Sequence, residues 1–552
     1  MKVIMKKIKK FEYIQKGSDL YRDNRGDIQN YKLTEKINLV ATITSKPNTL
    51  RSNHYHPIQQ QKCLLVSGQY ISIYKDLKKK NSSRITHVVN EGDLVVTEPL
   101  VAHTMVFTKN SIFLNLVNGE REHKNYGKTH TIPIKLISDS EKNFLFNNYK
   151  FVCRICNKNE FTRVISLGFQ PLANNLYKNK NLEKEYPLEL NLCKNCSNLQ
   201  LSIIPDFKLL FSNYLYKSSV SREFSNHFVE ATIKYIKEFK LKKESFIIDV
   251  GSNDGVGLLP FKNLGFTNLL GIEPASNLAK LSKKRGIRTI NNFLSIKVQK
   301  KISKKADLIL ASNVFAHADN LKEMAVCMLN LLDNKGKIVI EVQYFPQMLN
   351  DLTFDNIYHE HVNYWSLTTL ITFFFNLECK IYKAEKIKTH GGSLRVYISK
   401  NKKIKLHKSI KSILLLEKKL DITNEETFKL FENDIFQIKE NFIKNINYLK
   451  MKYKKIVGYG APAKATTALN FFSIKNDTIS FIIDDNPLKV DKFVPGTGIK
   501  IRSIKTIKKK QKCILVLAWN MFDEIRNNNQ KISSNFFNIR DLYDKDFIKK
   551  FF

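Results

Sequence analysis

The sequence predicts a multidomain protein in four parts: a β-barrel, a small four-cysteine module and two successive α/β units. Three observations carry this. Short β-like runs without intervening helices occupy residues 1–145, two Cys-x-x-Cys pairs lie between 150 and 205, and strand–glycine turn–helix patterns recur near 247 and 455. A single core is excluded by length, because 552 residues exceed the ~100–150 typical of one domain. The expected boundaries are 1–145, 150–205, 206–400 and 401–552.

Composition narrows the class. Apolar residues make up 43% of the chain, as in soluble globular proteins. The N-terminus lacks the apolar run of a signal peptide, and no stretch reaches the ~18 apolar residues of a membrane helix. A cytoplasmic protein without membrane insertion is expected. The formal charge of +40 suggests nucleic acid, but the lysines are spread along the chain instead of forming one stripe. The excess reads as solvated surface, with no nucleic-acid partner expected.

In the first part, the runs at 36–42, 62–66, 70–74, 93–97 and 111–117 alternate or are apolar, and glycine or charged turns separate them. The segment also holds His54-x-His56, Gln61, Gly68, Gly92, Pro99 and His103. This resembles the two motifs of the cupins, small β-barrels that gather two histidines, an acid and a later histidine around a metal. Gln61 stands where the acid is usual and Leu100 where a glycine is. Losing the carboxylate weakens a hard divalent site without abolishing it. Two alternatives stay open: a divalent metal on His54, His56, Gln61 and His103, or a metal-free barrel that binds or isomerises a sugar.

Of eight cysteines, Cys63, Cys327, Cys379 and Cys513 are scattered and read as small core residues. Cys153-x-x-Cys156 and Cys193-x-x-Cys196 form two knuckles that can complete a sulfur tetrahedron around Zn2+. Four thiolates leave no position open to substrate, so the expected zinc is structural.

The third part opens with the apolar run 246–248, followed by Asp249-Val-Gly-Ser-Asn-Asp-Gly-Val-Gly257. Glycines there let backbone approach a ligand closely. A second strand, 269–272, ends in Glu273, placed to take both hydroxyls of a ribose. The spacing departs from Gly-x-Gly-x-x-Gly, and Asp254 would repel a pyrophosphate while suiting the ammonium of S-adenosylmethionine. Asp-x-Gly-x-x-x-Gly before an acid-tipped strand is the methyltransferase pattern. Strand 306–311 then leads to Asn313 and His317, and strand 337–342 precedes Tyr358-His-Glu-His361. Ligands of open α/β sheets bind beyond the carboxyl ends of strands, where histidine is the natural general base. Amphipathic helical periodicity follows over 403–450. The last part begins at Lys455 and runs into Gly458-Tyr-Gly-Ala-Pro-Ala-Lys464, with a second strand tip at Asp484-Asp-Asn486. A helix N-terminus there suits phosphate.

Taken in order, residues from about 150 to 545 resemble the nucleotide-sugar C-methyltransferases of deoxysugar pathways. The resemblance rests on the cysteine pairs, Tyr214-Leu-Tyr-Lys-Ser-Ser-Val-Ser221, the 249–255 turn, Asn313-Val-Phe-Ala-His317, Tyr358–His361, His390-Gly-Gly-Ser-Leu-Arg395 and Gly458–Lys464. It implies an S-adenosylmethionine-dependent methyltransferase domain of Rossmann-like α/β type and a C-terminal Rossmann-like domain for the nucleotide of the sugar. It implies carbon methylation, usually at C3 of a dTDP-linked 4-keto sugar, through a base-generated enolate. By resemblance His361 is the base, supported by Glu360 and Tyr358 with His317 close by. The cofactor would meet Asp249, Gly251, Asn253, Asp254, Gly255, Glu273 and Asn313. The sugar nucleotide would meet Tyr216, His390, Arg395, Gly460, Lys464 and Asn486. The barrel would add a second step on the same sugar, such as epimerisation, or a binding role, and leaves room for a homodimer. The rival readings are a zinc-containing RNA methyltransferase and a non-catalytic nucleotide-sugar binder.

Overall fold

A computed structural model of the chain describes residues 12–552 except 17, 24–25, 34–35, 80–81, 119–130, 179–183, 208–209, 211–218, 220–221 and 319; the side chains of 12–13, 18–23, 26–27, 222–224 and 390 are also left undescribed. Contacts divide it into two units, 1–149 with 166–169, and 150–165 with 170–552.

The first unit holds two antiparallel five-stranded sheets. One runs in the order Glu12–Lys16, Asp93–Thr97, Gln61–Ser67, Ser111–Val117, Leu39–Ser45; the other runs Ile132–Pro133, Leu50–Tyr55, Val101–Phe107, Gln69–Asp76, Ile85–Asn90. Alternation builds the edges: every second residue of Ser111–Val117 is buried. Leu65, Tyr70, Val89, Phe107 and Phe113 form the core between the sheets. Gly68 alone links Gln61–Ser67 to Gln69–Asp76 as the chain changes sheet. Its φ is +99°, and a Cβ there would meet Ser111 Oγ at 2.2 Å.

In the second unit the antiparallel strands Glu185–Cys193, Leu199–Leu201 and Asn363–Tyr364 pair side by side. Beyond them stands a seven-stranded sheet in the order Thr289–Ile290, Leu269–Ile272, Ile247–Val250, Ala306–Ser312, Leu332–Gln343, Ser393–Ser399, Lys380–Ile387. All strands run parallel except Ser393–Ser399, which is antiparallel to both of its neighbours. Successive strands lie on opposite sides of Ile247–Val250, so the glycine turn leaves the sheet at its topological switch point, where a crevice opens. The 403–450 periodicity resolves into helices Lys408–Lys419 and Glu425–Tyr453, the second capped by Asn424. The last sheet runs Phe493–Val494, Ile499–Arg502, Ile479–Ile483, Ile456–Tyr459, Ile514–Val516, Phe536–Asn538. Its strand Ile456–Tyr459 is again the switch point. Among the described residues no helix is long and apolar enough to cross a membrane.

Candidate active site

Both switch points open onto one cleft of about 1480 Å³. At its first end, Gly251 turns the chain with φ +72°, where a Cβ would strike Val314 at 2.6 Å. Gly257 leaves room for Asp249, whose Oδ2 would lie 2.7 Å from a Cβ there. Glu273 is fixed by the backbone N–H groups of Asn253 and Ala275, each donating at 2.8 Å. Asn313 sits at φ +56°, and its buried Nδ2 has no hydrogen-bond partner among the described residues. Asp249, Gly251, Asn253, Glu273 and Asn313 all line the cleft. Burial, then the charges of Glu273 and Glu341, push the Asp249 carboxyl up to about 8.

Asp254 and Gly255 do not line it. The left-handed residues Asn253 and Gly255 on either side turn Asp254 inward, where it is fully buried and pairs with Arg285 at 3.1 Å. It is not placed to meet an ammonium group. Gly255 instead allows close packing of helix Ser276–Lys284, since a Cβ would meet Ser282 Oγ at 2.7 Å.

Midway along the cleft lie Tyr358, His361 and His317. Tyr358 Oη and His361 Nε2 are 2.8 Å apart, and His361 Nδ1 is 3.0 Å from the Asn356 carbonyl. A ring nitrogen facing a carbonyl must carry the proton. Neutral His361 therefore has its lone pair on Nε2, where the Tyr358 hydroxyl donates. His317 follows the same logic. Its Nδ1 is 2.6 Å from the Glu360 carbonyl oxygen, and burial lowers its pKa to about 4, so the ring is neutral near pH 7. The two imidazole centroids are 4.9 Å apart.

The Glu360 carboxylate differs from expectation. The tight turn points residue 361 into the cleft and 360 into the interior, where Glu360 is 1% exposed and accepts from Asn174 Nδ2 at 3.1 Å. Burial pushes it up to about 7. The Asn356 carbonyl, not this carboxylate, sets the His361 tautomer.

At the far end stand Gly460, Lys464 and Asn486. The Gly460 N–H donates to Ile483 O at 2.7 Å and that of Ala461 to Asp484 Oδ2 at 2.8 Å. Gly460 therefore does not offer its amide to a phosphate. Its φ of +85° and the 2.7 Å approach of Ala518 Cβ explain the glycine. Helix Ala463–Phe471 starts without a side-chain cap. Lys464 Nζ lies 4.7 Å over the Trp519 ring, and burial, opposed by Asp355, lowers its pKa to about 8. The Asn486 side-chain oxygen accepts from Leu488 N–H at 3.0 Å.

Arg395 reaches the cleft wall, but its Nε donates to Glu341 at 2.7 Å, and His227 Nε2 lies 2.9 Å from the same carboxylate. Burial would raise Glu341, yet His227 and Arg395 hold it down to about 2. Arg395 is thus committed to a buried ion pair and is not a free phosphate ligand. Tyr216 and the side chain of His390 lie outside the described residues. Sequence reasoning passed over Glu341, His227, Asp355 and Trp519. Each comes from a different segment and has no local motif.

The four paired cysteines converge. Cys153 and Cys196 sulfurs are 3.5 Å apart, as are those of Cys156 and Cys193, and all four lie within 4.8 Å of one another. A tetrahedron of ~2.3 Å zinc–sulfur bonds has edges of about 3.8 Å, so the set fits Zn2+. Ile155 N–H and Asn198 Nδ2 also point at Cys153 Sγ. In the first unit His54, His56 and His103 bring ring nitrogens within 4.8 Å, and Gln61 Oε1 lies 3.3 Å from His56 Nε2. Imidazole suits a borderline divalent ion, so this set also fits a metal.

Three family models match in succession: a zinc-binding domain over 153–211, a methyltransferase domain over 222–383 and a C-methyltransferase C-terminal domain over 388–536. The C-methyltransferase NovU of Streptomyces niveus is 27% identical over 391 residues, covering 69% of this chain and 93% of that protein. Among solved structures, the dTDP-4-dehydrorhamnose 3,5-epimerase of Sulfolobus tokodaii matches 23% of this chain and 80% of its own at 15% identity and TM-score 0.21. The magnesium protoporphyrin IX methyltransferase of Synechocystis matches 32% and 83% at 10% identity and TM-score 0.26. With the cysteine tetrad, the acid-tipped glycine turn and the second α/β lobe in one order, the chain carries in succession the zinc-binding, methyltransferase and C-terminal domains of an S-adenosylmethionine-dependent C-methyltransferase, behind the two-sheet β unit.

Proposed function

We propose that the chain methylates a ring carbon of a nucleotide-activated keto-deoxysugar, at C3 of a dTDP-4-keto sugar, in the cytoplasm and in deoxysugar or surface-polysaccharide synthesis. One observation carries the reading: a single cleft joins an acid-tipped nucleoside turn, a phenol–imidazole pair and a second glycine turn beside a half-buried lysine. Bound S-adenosylmethionine supplies a methyl group on a good leaving sulfur. Everything else falls to the chain. Glu273 takes the ribose hydroxyls with the lone pairs its backbone donors leave over. Asn313 offers its unpartnered amide. His361 Nε2 removes the proton beside the ketone when Tyr358 turns its hydroxyl from that nitrogen to the developing enolate oxygen. His317, with its proton held by Glu360 O, is an acceptor at Nε2 and does not donate to that oxygen. Lys464, with Lys489 nearby in the cleft wall, faces the diphosphate.

The test is mass spectrometry of dTDP-, GDP- and CDP-keto sugars incubated with methyl donor. A gain of one methylene that survives acid cleavage of the nucleotide is expected for the dTDP series. Its absence from every sugar would overturn the reading. An RNA methyltransferase would instead show salt-sensitive polynucleotide binding.

Asp249 adds a pH signature. With its carboxyl at about 8, the ligand-free site is mostly protonated at pH 7. A cationic ligand favours the carboxylate, so binding should release a proton. Affinity for S-adenosylmethionine should therefore rise with pH up to about 8 and level off above it. Calorimetry in two buffers of different ionisation enthalpy measures the release, and Asp249→Asn should abolish it.

The histidine cluster supports a second site in the barrel, on the same sugar. Proton exchange at C5, the carbon beside the ketone that methylation leaves alone, followed by NMR without methyl donor, should vanish in a His54→Ala/His56→Ala chain that still methylates. Elemental analysis of that chain decides between a metal and a metal-free barrel.

A further inference from the structure

The loop that bears His361 is held from the opposite lobe by Phe354, which packs on Phe471, Phe472 and Tyr543, and by one indole hydrogen bond. Asp355 is buried, and its Oδ2 accepts from Trp519 Nε1 at 2.6 Å. The next residue, Asn356, supplies the carbonyl that orients His361 and also accepts from Tyr364 Oη at 3.3 Å. Trp519 opens the 3-10 turn Trp519–Met521 after strand Ile514–Val516, beside the Gly460 turn. Its ring has Lys464 at 4.7 Å and Arg540 at 5.2 Å, and Arg540 donates to Asp351 O at 2.5 Å. From the other lobe Gly391 leaves the slot the ring fills, since a Cβ there would come within 2.7 Å of the indole. A buried N–H to a carboxylate is charge-assisted and short, and fixes both partners.

We propose that Trp519 is a positioning residue: through Asp355 it ties the orientation of His361 to the lobe that holds the nucleotide. This rests on the sugar-nucleotide reading above. A diphosphate that draws on Lys464 is then felt at the ring, and through Asp355 at the base. A sugar without its nucleotide would lack that anchor.

Trp519→Phe tests it, because it keeps a ring beneath Lys464 and removes only the donor. The expected result is a kcat lower by about tenfold to a hundredfold, with affinities for dTDP and S-adenosylmethionine within about threefold of wild type. Uptake of solvent deuterium at C3 of the keto sugar, with S-adenosylhomocysteine bound, should fall in parallel, because it reads the base without methyl transfer. The chain has two tryptophans and Trp365 is 0% exposed, so a dTDP-induced emission change should appear in wild type and vanish in the variant. Unchanged kcat, or a loss confined to KM and dTDP affinity, would overturn the proposal. Should Trp519→Phe fail to bind S-adenosylmethionine, the pair Asp355→Asn and Asp355→Ala decides. Asparagine keeps the acceptor and should retain more kcat, and equal losses refute the link. A wild-type chain inactive on every nucleotide sugar would sink the functional reading itself, and this inference with it.

Discussion

Replacing His361 with alanine is expected to lower kcat by about 10²–10⁴ while S-adenosylmethionine binds as before. The imidazole stands between the two ends of the cleft and touches neither the Glu273 carboxylate nor its backbone donors. Its loss also removes the ring nitrogen that Tyr358 Oη meets at 2.8 Å. Tyr358→Phe should cost less than His361→Ala, because the base would remain and only the donor to the enolate oxygen would go. Steady-state kinetics with calorimetric cofactor affinities separates these outcomes. Full turnover in His361→Ala would remove this residue from the chemistry.

Cys196→Ser is expected to be the most damaging change for folding, and to abolish activity although the cysteine is far from the cleft in sequence. Structural zinc contributes about 10–16 kcal/mol of apparent folding energy to small modules. Here the module is also the floor of the His361 loop. Leu199 and Gln200 pair with Tyr364 and Asn363, Leu201 N–H donates to Val362 O at 3.1 Å, and His359 Nε2 lies 3.2 Å from Pro187 O. Asn174 holds Glu360 from the same side. Loss of the metal should thus lower the melting temperature and the turnover together. The measurement is zinc content per chain alongside thermal unfolding. A chain that loses its zinc and keeps full activity would contradict this account.

Much of this was legible because short spacing encodes it. Two residues between cysteines force a knuckle, and a strand followed by glycines forces a turn at a sheet edge. The strands that carry His54 and His103 were harder to see. Leu50–Tyr55 reads Leu-Arg-Ser-Asn-His-Tyr, with polar side chains where alternation would want apolar ones, and Val101–Phe107 is buried throughout, so period two fades. Asp254 and Glu360 misled for a related reason. Left-handed backbone at Asn253 and Gly255, and the tight turn at 358–361, decide which neighbour faces the ligand. A one-residue change of direction is invisible in a motif. Glu341, with partners at 227, 235 and 395, needs the sheet and helix to be packed before it means anything.

The roughly 1480 Å³ hollow is continuous from Glu273 to Lys464, and this has a practical corollary for inhibitor chemistry. A bisubstrate compound, adenosine at one tip and a nucleoside diphosphate at the other with a short polar spacer, would lie along it as one molecule. Because the two tips would share a single loss of tumbling freedom, its grip should exceed that of either fragment by orders of magnitude.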